Sequence, residues 1–571
     1  MNNDRPFQPV SASGAIFVAS LVFFGLFFFW PISQSISSAF FTPDGKFTLD
    51  YIVEILTNPI YLEGLGNALQ MGLWSTLLSG MIAVPLAWIS DRFTFPGKPL
   101  FSALVLVPMI MPPFVGAIGL RQILGQQGAL NALLETLGLM NSSHPIDWLG
   151  AGRLWGVVVL NALHLYPVLY LNVVAALANI DPAMEEAAEN LGCSHFRKFR
   201  RITLPLIMPG LFAGGTVVFI WAFTELGVPL MFDFTKITSV QIFNGIKDLG
   251  GNPIPFALVT VMLGTTIALY AVSKFLLRGS HYAMLAKSTT MGGPRPARGF
   301  TAMMCVTAFS LVSFVAMLPH LGVILVAFSS DWYQTILPSG WTIEHFQSAL
   351  GHNLTLPSIQ NSLKYASLAT LVDLVLGIAM AYVVARTKLY GRHILDTLTM
   401  LPLAVPGLVL AFGYLAMTQE GKLFAVLNPA VDPLILIVIA YSVRRLPYVV
   451  RSAVAGFQQT SVTLEEASQN LGCPPFKTFC KITLPLISAN LIAGGLLAFS
   501  FAMLEVSDSL ILAQKQQDFP ITKAIYELDQ LLGEGRYIAS ALGVWAMVFL
   551  GITILGASLV LGKKLGAIFR G

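Results

Sequence analysis

Charge is scarce in this chain. Asp, Glu, Lys and Arg make up 11% of its 571 residues, against about a quarter in soluble proteins, which excludes an ordinary soluble enzyme. Cysteine is scarcer: Cys193, Cys305, Cys473 and Cys480 are the complete set. They have no C-x-x-C spacing, so neither a disulfide framework nor a zinc site is expected. The eight histidines are scattered and suggest no metal site. A net charge of +4 is too small to support nucleic-acid binding on charge alone. No strict glycine period appears, and the apolar content is too high for disorder. Nucleotide chemistry is missing as well. The lysines that follow glycine (Lys46, Lys98, Lys422 and Lys563) are never followed by Ser or Thr, so no phosphate-cradling G-x-x-x-x-G-K-[ST] loop exists. No G-x-S-x-G elbow exists either.

What the chain has is apolar length. It is 55% hydrophobic, with a mean hydropathy of +0.73. A membrane-crossing helix needs roughly 20 mostly apolar residues, and about twelve such runs are present. Six lie near 13–35, 68–90, 100–123, 153–180, 206–232 and 255–278. Six more lie near 302–329, 361–386, 394–418, 432–458, 487–514 and 537–562. The runs are continuous rather than alternating, which excludes a β-barrel. The expected fold is an all-α polytopic membrane protein, its first run a retained signal-anchor helix. With the N-terminus inside, 20 Lys and Arg fall in cytoplasmic segments and 9 in outer ones, so both termini are expected in the cytoplasm.

The chain repeats itself. Residues 185–207 (EEAAENLGCSHFRKFRRITLPLI) and 465–487 (EEASQNLGCPPFKTFCKITLPLI) share 15 of 23 residues at an offset of 280. The match extends to Pro167/Pro447 and Glu225/Glu505. Earlier in each half Asn67/Asn361, Arg92/Arg386, Pro108/Pro402 and Pro112/Pro406 align at an offset of 294. Two six-span halves, 1–278 and 300–571, are therefore expected to run parallel, joined by a cytoplasmic linker at 279–299. Parallel duplications in transporters place a substrate path between the halves.

The repeated segment falls in the cytoplasmic loop between spans four and five of each half, about 181–206 and 461–486. Glu186, Ala187 and Ala188, then Glu466, Ala467 and Ser468, lie on a short helix. Gly192 and Gly472 stand where a left-handed residue ends it. Beyond, Phe196 and Phe199, and equally Phe476 and Phe479, lie three apart on one face of a second short helix with basic residues opposite. Such knobs suit docking into a partner's groove. A helix lying on the membrane surface is the alternative. The doubling of glycine, phenylalanines and Ile-x-Leu-Pro favours docking.

This doubled motif resembles the EAA loop of inner-membrane permeases of ATP-binding-cassette importers. The fused two-half form is similar to permeases of ferric-iron, thiamine and related uptake systems, and the resemblance covers nearly the whole chain. It implies a type I importer permease that is not itself an enzyme. Each EAA loop would dock on one subunit of a cytoplasmic ATPase dimer that carries the ATP and Mg, with no cofactor in this chain. A periplasmic or lipid-anchored binding protein would deliver substrate, and the halves would alternate access across the bacterial inner membrane. Ser468 departs from the pattern's alanine, but both are small.

Ionisable residues inside spans are candidates for the path. They are Glu225 and Glu505, equivalent in spans five and eleven; Asp508, one turn beyond Glu505; and Arg444 and Arg445 in span ten. Helix-packing hydrogen bonds are the alternative for the carboxylates. For Arg444 and Arg451, which share a face, it is snorkelling to the interface, and Asp373 in span eight is a possible partner. Prolines in the third span of each half open a polar cavity, form a hinge or simply kink the helix. Ferric iron is the first expected substrate, with thiamine, polyamines, sulfate and phosphonates as alternatives. An ion-driven secondary carrier would need no ATPase dock, and a receptor without transport would need no duplicated path.

Overall fold

The computed structural model describes residues 10–42, 44–141, 143–150, 153–248, 252–277 and 294–561. Most of the linker expected at 279–299 lies outside the described residues. Among the described residues nine helices are long and apolar enough to cross a membrane, or eleven if two bent pairs each count as one span. Helix Leu434–Gln459 is as long but carries Arg444, Arg445 and Arg451, which keeps it out of that count. It occupies in the second half the place of Leu154–Leu177 in the first, and completes the expected twelve. Among the described residues the fold is all-α apart from two short strand pairings, Phe93–Thr94 with Arg295–Pro296 and Ser329–Asp331 with Gly340–Trp341, and an isolated bridge between Phe41 and Phe47.

Four spans differ from the uninterrupted helices expected. Span three bends by 95° between Lys98–Met109 and Pro113–Thr136, and span nine by 98° between Arg392–Leu403 and Gly407–Met417. The cause is local. Proline disfavours a helical residue before it, so Met111 and Pro112, each followed by a proline, are extended at the first break. At the second, Pro406 (φ −57°, ψ 135°) leaves the helical region and, lacking an N–H, starts the new helix. These bends are far larger than a plain proline kink. Spans five and eleven, expected to run to 232 and 514, stop at Phe223 and Met503 and restart as Gly227–Met231 and Ser507–Leu512. Irregular backbone at membrane depth is tolerated only where protein buries it or where it lines a cavity. All four breaks meet that condition.

The halves exchange their first spans. Span one (Ser13–Phe40) packs on span nine of the second half, where Tyr414 Oη donates to Phe27 O at 2.7 Å. Span seven (Gly299–Phe328) packs on span three of the first half. Gly119 and Gly413, 294 apart, are the close-approach points: a Cβ on Gly119 would strike Pro319 O, and one on Gly413 would lie 2.5 Å from Pro31 O. The repeat boundaries in the sequence are therefore not the boundaries of two independently packed bodies.

Candidate functional site: a polar break between two coupling loops

At one end of the bundle, the two loops that carry the repeated motif are built the same way. Asp181 Oδ1 caps helix Pro182–Asn190 by accepting from Ala183 N at 3.0 Å, and Ser461 Oγ caps Val462–Asn470 by accepting from Thr463 N at 3.3 Å. Both helices end in the same left-handed stop. Gly192 (φ +76°) donates to Glu189 O and Cys193 to Ala188 O; Gly472 (φ +85°) donates to Gln469 O and Cys473 to Ser468 O. This is the Schellman arrangement expected from the glycines. Ser468 is buried like Ala188, and its hydroxyl lies 3.0 Å from Thr478 Oγ1. The departure from alanine thus brings its own hydrogen-bond partner.

Glu186, Ala187, Glu466 and Ala467 face solvent. Phe196 and Phe476 are 74% and 80% exposed, and Leu191 and Leu471 88% and 89%. The expected pair of phenylalanine knobs is corrected. Phe199 and Phe479 turn inward, half-buried, with the Phe479 ring 6.3 Å from Tyr382. They begin a wide turn that winds without interruption into spans five and eleven. Each loop therefore displays a matched leucine and phenylalanine as its most exposed apolar side chains, and the second phenylalanine anchors it.

Sequence reasoning missed the residues that tie these loops to the membrane. Glu185, one place before the motif glutamate, is buried; it pairs with Arg92 at the end of span two and accepts from Thr203 Oγ1 at 2.7 Å. In the second half Arg386 Nε meets Glu465 Oε1 at 3.1 Å, and Arg386 Nη2 donates to Thr460 O at 3.0 Å. The signal was present in Arg92/Arg386 and the doubled Glu-Glu, but the two elements align at different offsets, which concealed the pairing.

At the other ends of spans five and eleven, the four breaks converge on a cavity of about 180 Å³ between the halves. Glu225, Arg444, Arg445 and Glu505 line it, beside Pro113, Pro402 and Pro406 at the broken third spans. The second half is ion-paired: Arg444 Nη1 meets Glu505 Oε1 at 2.5 Å, Arg445 Nη2 meets Glu505 Oε2, and Asp508 Oδ2 lies 3.5 Å from Arg444. The first half is not. Glu225 Oε1 accepts from Gly227 N at 3.0 Å and Val228 N at 3.3 Å, capping the restarted helix. His164 stands where Arg444 stands in the repeat, and its Nδ1 donates to the carbonyl of Pro108 at 2.8 Å. Asp508 does not line the cavity; it is fully buried behind Glu505, across the break from it. Arg451 is 55% exposed, 3.6 Å from Asp396, so Arg445 and not Arg451 accompanies Arg444.

A second, apolar cavity of about 360 Å³ shares Ile220, Trp221 and Leu403 with the first and runs along span five toward the repeated loop, as far as Pro209. On the side away from the repeated loops the halves close. Arg121 Nη1 meets Asp529 Oδ2 at 3.4 Å between them, and Gly227 lies so near Val506 that a Cβ would reach its Cγ1 at 2.9 Å. Two cations, half-buried Arg121 and buried Lys523, cap the restarted helices here, where carbonyl ends attract positive charge. Arg121 donates to Met231 O at 2.7 Å, and Lys523 Nζ to Leu510 O at 3.0 Å and Ala513 O at 2.7 Å. Burial pulls the Lys523 amine down to about 8.

Twelve spans in two exchanged halves, a charged break between them and two matched loops define a polytopic membrane permease. The chain belongs to the family of binding-protein-dependent transport system inner membrane components, whose profile matches residues 76–280 and 373–561. Both loops and both break glutamates fall inside those ranges. Among its relatives is a putative ferric transport system permease protein, FbpB 1, of Haemophilus influenzae, 27% identical over 474 residues, covering 81% of this chain and 71% of the relative. The ferric transport system permease protein FbpB of Actinobacillus pleuropneumoniae is 26% identical, over 80% of this chain and 64% of its own length. The spermidine/putrescine transport system permease protein PotB of Escherichia coli is 28% identical over 257 residues, 43% of this chain and 91% of the relative. The chain is thus a multi-pass membrane component of a binding-protein-dependent transport system.

Proposed function

We propose that this permease imports ferric iron across the bacterial inner membrane, with both termini in the cytoplasm. A periplasmic binding protein delivers the ion to the outer face. A separate ATPase dimer, holding ATP and Mg, docks on the two coupling loops. The observation that carries the substrate is that relatives spanning four-fifths of the chain are named as ferric transport permeases. The cavity's chemistry agrees with a hard cation. Arg444 and Arg445 are committed to Glu505, while Glu225 faces the cavity with no ion pair among the described residues. Carboxylate oxygen suits such ions.

The mechanism follows from continuity. An ATPase that moves a coupling loop moves a helix running unbroken from Phe196 to Phe223, or from Pro475 to Met503, and so moves the break where Glu225 or Glu505 sits. Closure at Gly227, Val506, Arg121 and Asp529 corresponds to the path shut on the outside, and opening there would admit substrate. The test is uptake of radiolabelled ferric iron at low external iron, with and without this gene, in cells lacking other iron systems. Loss restored by the wild-type gene supports the assignment. Unchanged uptake removes iron and leaves polyamine, the substrate named for the half-length relatives, to be tried next.

A further inference from the structure

The two halves also differ at a matched pair of positions that joins the cavity wall to the helix behind it. In the first half Ser79 on span two donates to Ala162 O on span four at 3.3 Å, and Leu165 follows one turn along. In the second half the equivalent places hold Asp373 on span eight (Thr355–Arg386) and Arg445 on span ten. A carboxyl and a guanidinium have therefore entered together, on facing helices, where the other repeat has a hydroxyl and an isobutyl group. The register confirms that they are level. Ser442 Oγ donates to Ala369 O at 3.2 Å, and a Cβ on Gly377 would lie 2.8 Å from Val449. Asp373 lies midway between Ala369 and Gly377, as Arg445 lies between Ser442 and Val449.

Asp373 is fully buried, and neither of its carboxyl oxygens has a hydrogen-bond partner. On the other helix, Arg445 uses Nη2 on Glu505 while its buried Nε has no partner. An unpaired carboxyl at membrane depth is costly, and a guanidinium carries donors enough for two acids.

We propose that Asp373 is a second counter-ion for Arg445, a positioning residue of the transport cycle that draws Arg445 off Glu505 in the alternate state. In the state described here Arg445 and Arg444 hold Glu505. When spans eight and ten shift, Arg445 turns its free edge onto Asp373, and Glu505 keeps Arg444 on Oε1 while Oε2, the oxygen Arg445 held, is released toward the cavity. A carboxylate oxygen from each half then faces a passing cation. This rests on the cavity being the substrate path.

The experiment compares iron uptake by the complete importer carrying D373N, D373S or D373S/R445L, the last restoring the first-half pair of side chains. The expected result is D373N at wild-type membrane level with uptake reduced about tenfold, within the range of residues that carry coupling. Uptake by D373S/R445L should return to within about threefold of wild type, because Arg445 is no longer present to occupy Glu505. An acid that only balanced a buried arginine would show its loss, and its rescue by removing Arg445, in membrane level as well as in uptake, whereas here the membrane level stays constant and uptake alone moves. The proposal is overturned if D373N transports like wild type, if D373N fails to accumulate in the membrane, or if D373S/R445L is no better than D373S. A wild-type importer that moves no iron would instead overturn the substrate assignment.

Discussion

Arg444 and Glu505 meet at 2.5 Å between spans ten and eleven, while the equivalent pair in the first half, His164 and Glu225, makes no such bond: His164 holds the carbonyl of Pro108 and Glu225 caps a helix. One scaffold thus carries an ion-paired wall and an open carboxylate wall around the same cavity. The two glutamates should respond differently to removal.

Glu505→Ala leaves Arg445 without its acid and Arg444 with Asp508 alone at 3.5 Å, and stranding a buried partner costs about 3–5 kcal/mol. Membrane abundance and thermal midpoint in detergent should both fall. Glu225→Ala loses a helix cap, worth about 1 kcal/mol, so the protein should accumulate normally yet lose most iron uptake. Equal melting of the two variants would contradict the assignment of roles.

Both coupling glycines have open space around the missing Cβ, so a substitution there tests the left-handed backbone alone. Gly192→Val with Gly472→Val should cost about 1–2 kcal/mol at each site and abolish ATPase co-purification. Gly472→Asn should retain it, since asparagine tolerates that conformation. Retention of the ATPase by the double valine variant would rule out the loop geometry as the dock.

The struts behind the loops should matter as much as the exposed motif. Arg386→Met strands Glu465 in a pair whose arginine side chain is only 7% exposed, with an expected loss of about 3 kcal/mol. The second loop would come free of span eight, and ATP hydrolysis by the assembled importer would no longer rise with loaded binding protein. Undiminished stimulation would show the strut to be dispensable.

Lys523 supplies a pH signature. Its amine titrates near 8 in the fold against 10.5 when free, so between those values the unfolded chain binds more protons than the folded one. Stability attributable to this residue therefore rises with pH from about 8 to about 10.5. A melting series across that window should show the rise in wild type and its absence in Lys523→Met. A matching slope in the variant would assign the effect elsewhere.

Much of this protein is written locally. Helix length, the count of spans, the duplication and the left-handed stops at Gly192 and Gly472 follow from apolar runs and short-range stereochemistry, and these need only neighbours in the chain. The burial of Glu185 and Glu465 against Arg92 and Arg386 was not legible, because it joins residues about 80–90 apart. The same holds for the inward turn of Phe199 and Phe479, which depends on Tyr382 and its neighbours.

The rest was decided by the tertiary structure. Proline at 112 and 406 announces a disturbance, yet whether it becomes a kink or a right-angled break depends on whether other helices can receive the freed backbone groups, as His164 receives Pro108. Glu225 and Glu505 could be named from the repeat, but their difference could not, since it comes from which side chains of span four or span ten stand opposite. Packing across helices distinguishes charges that line a path from charges such as Arg451 and Asp508 that do not, because only three-dimensional contact sets what an ionised group has for company.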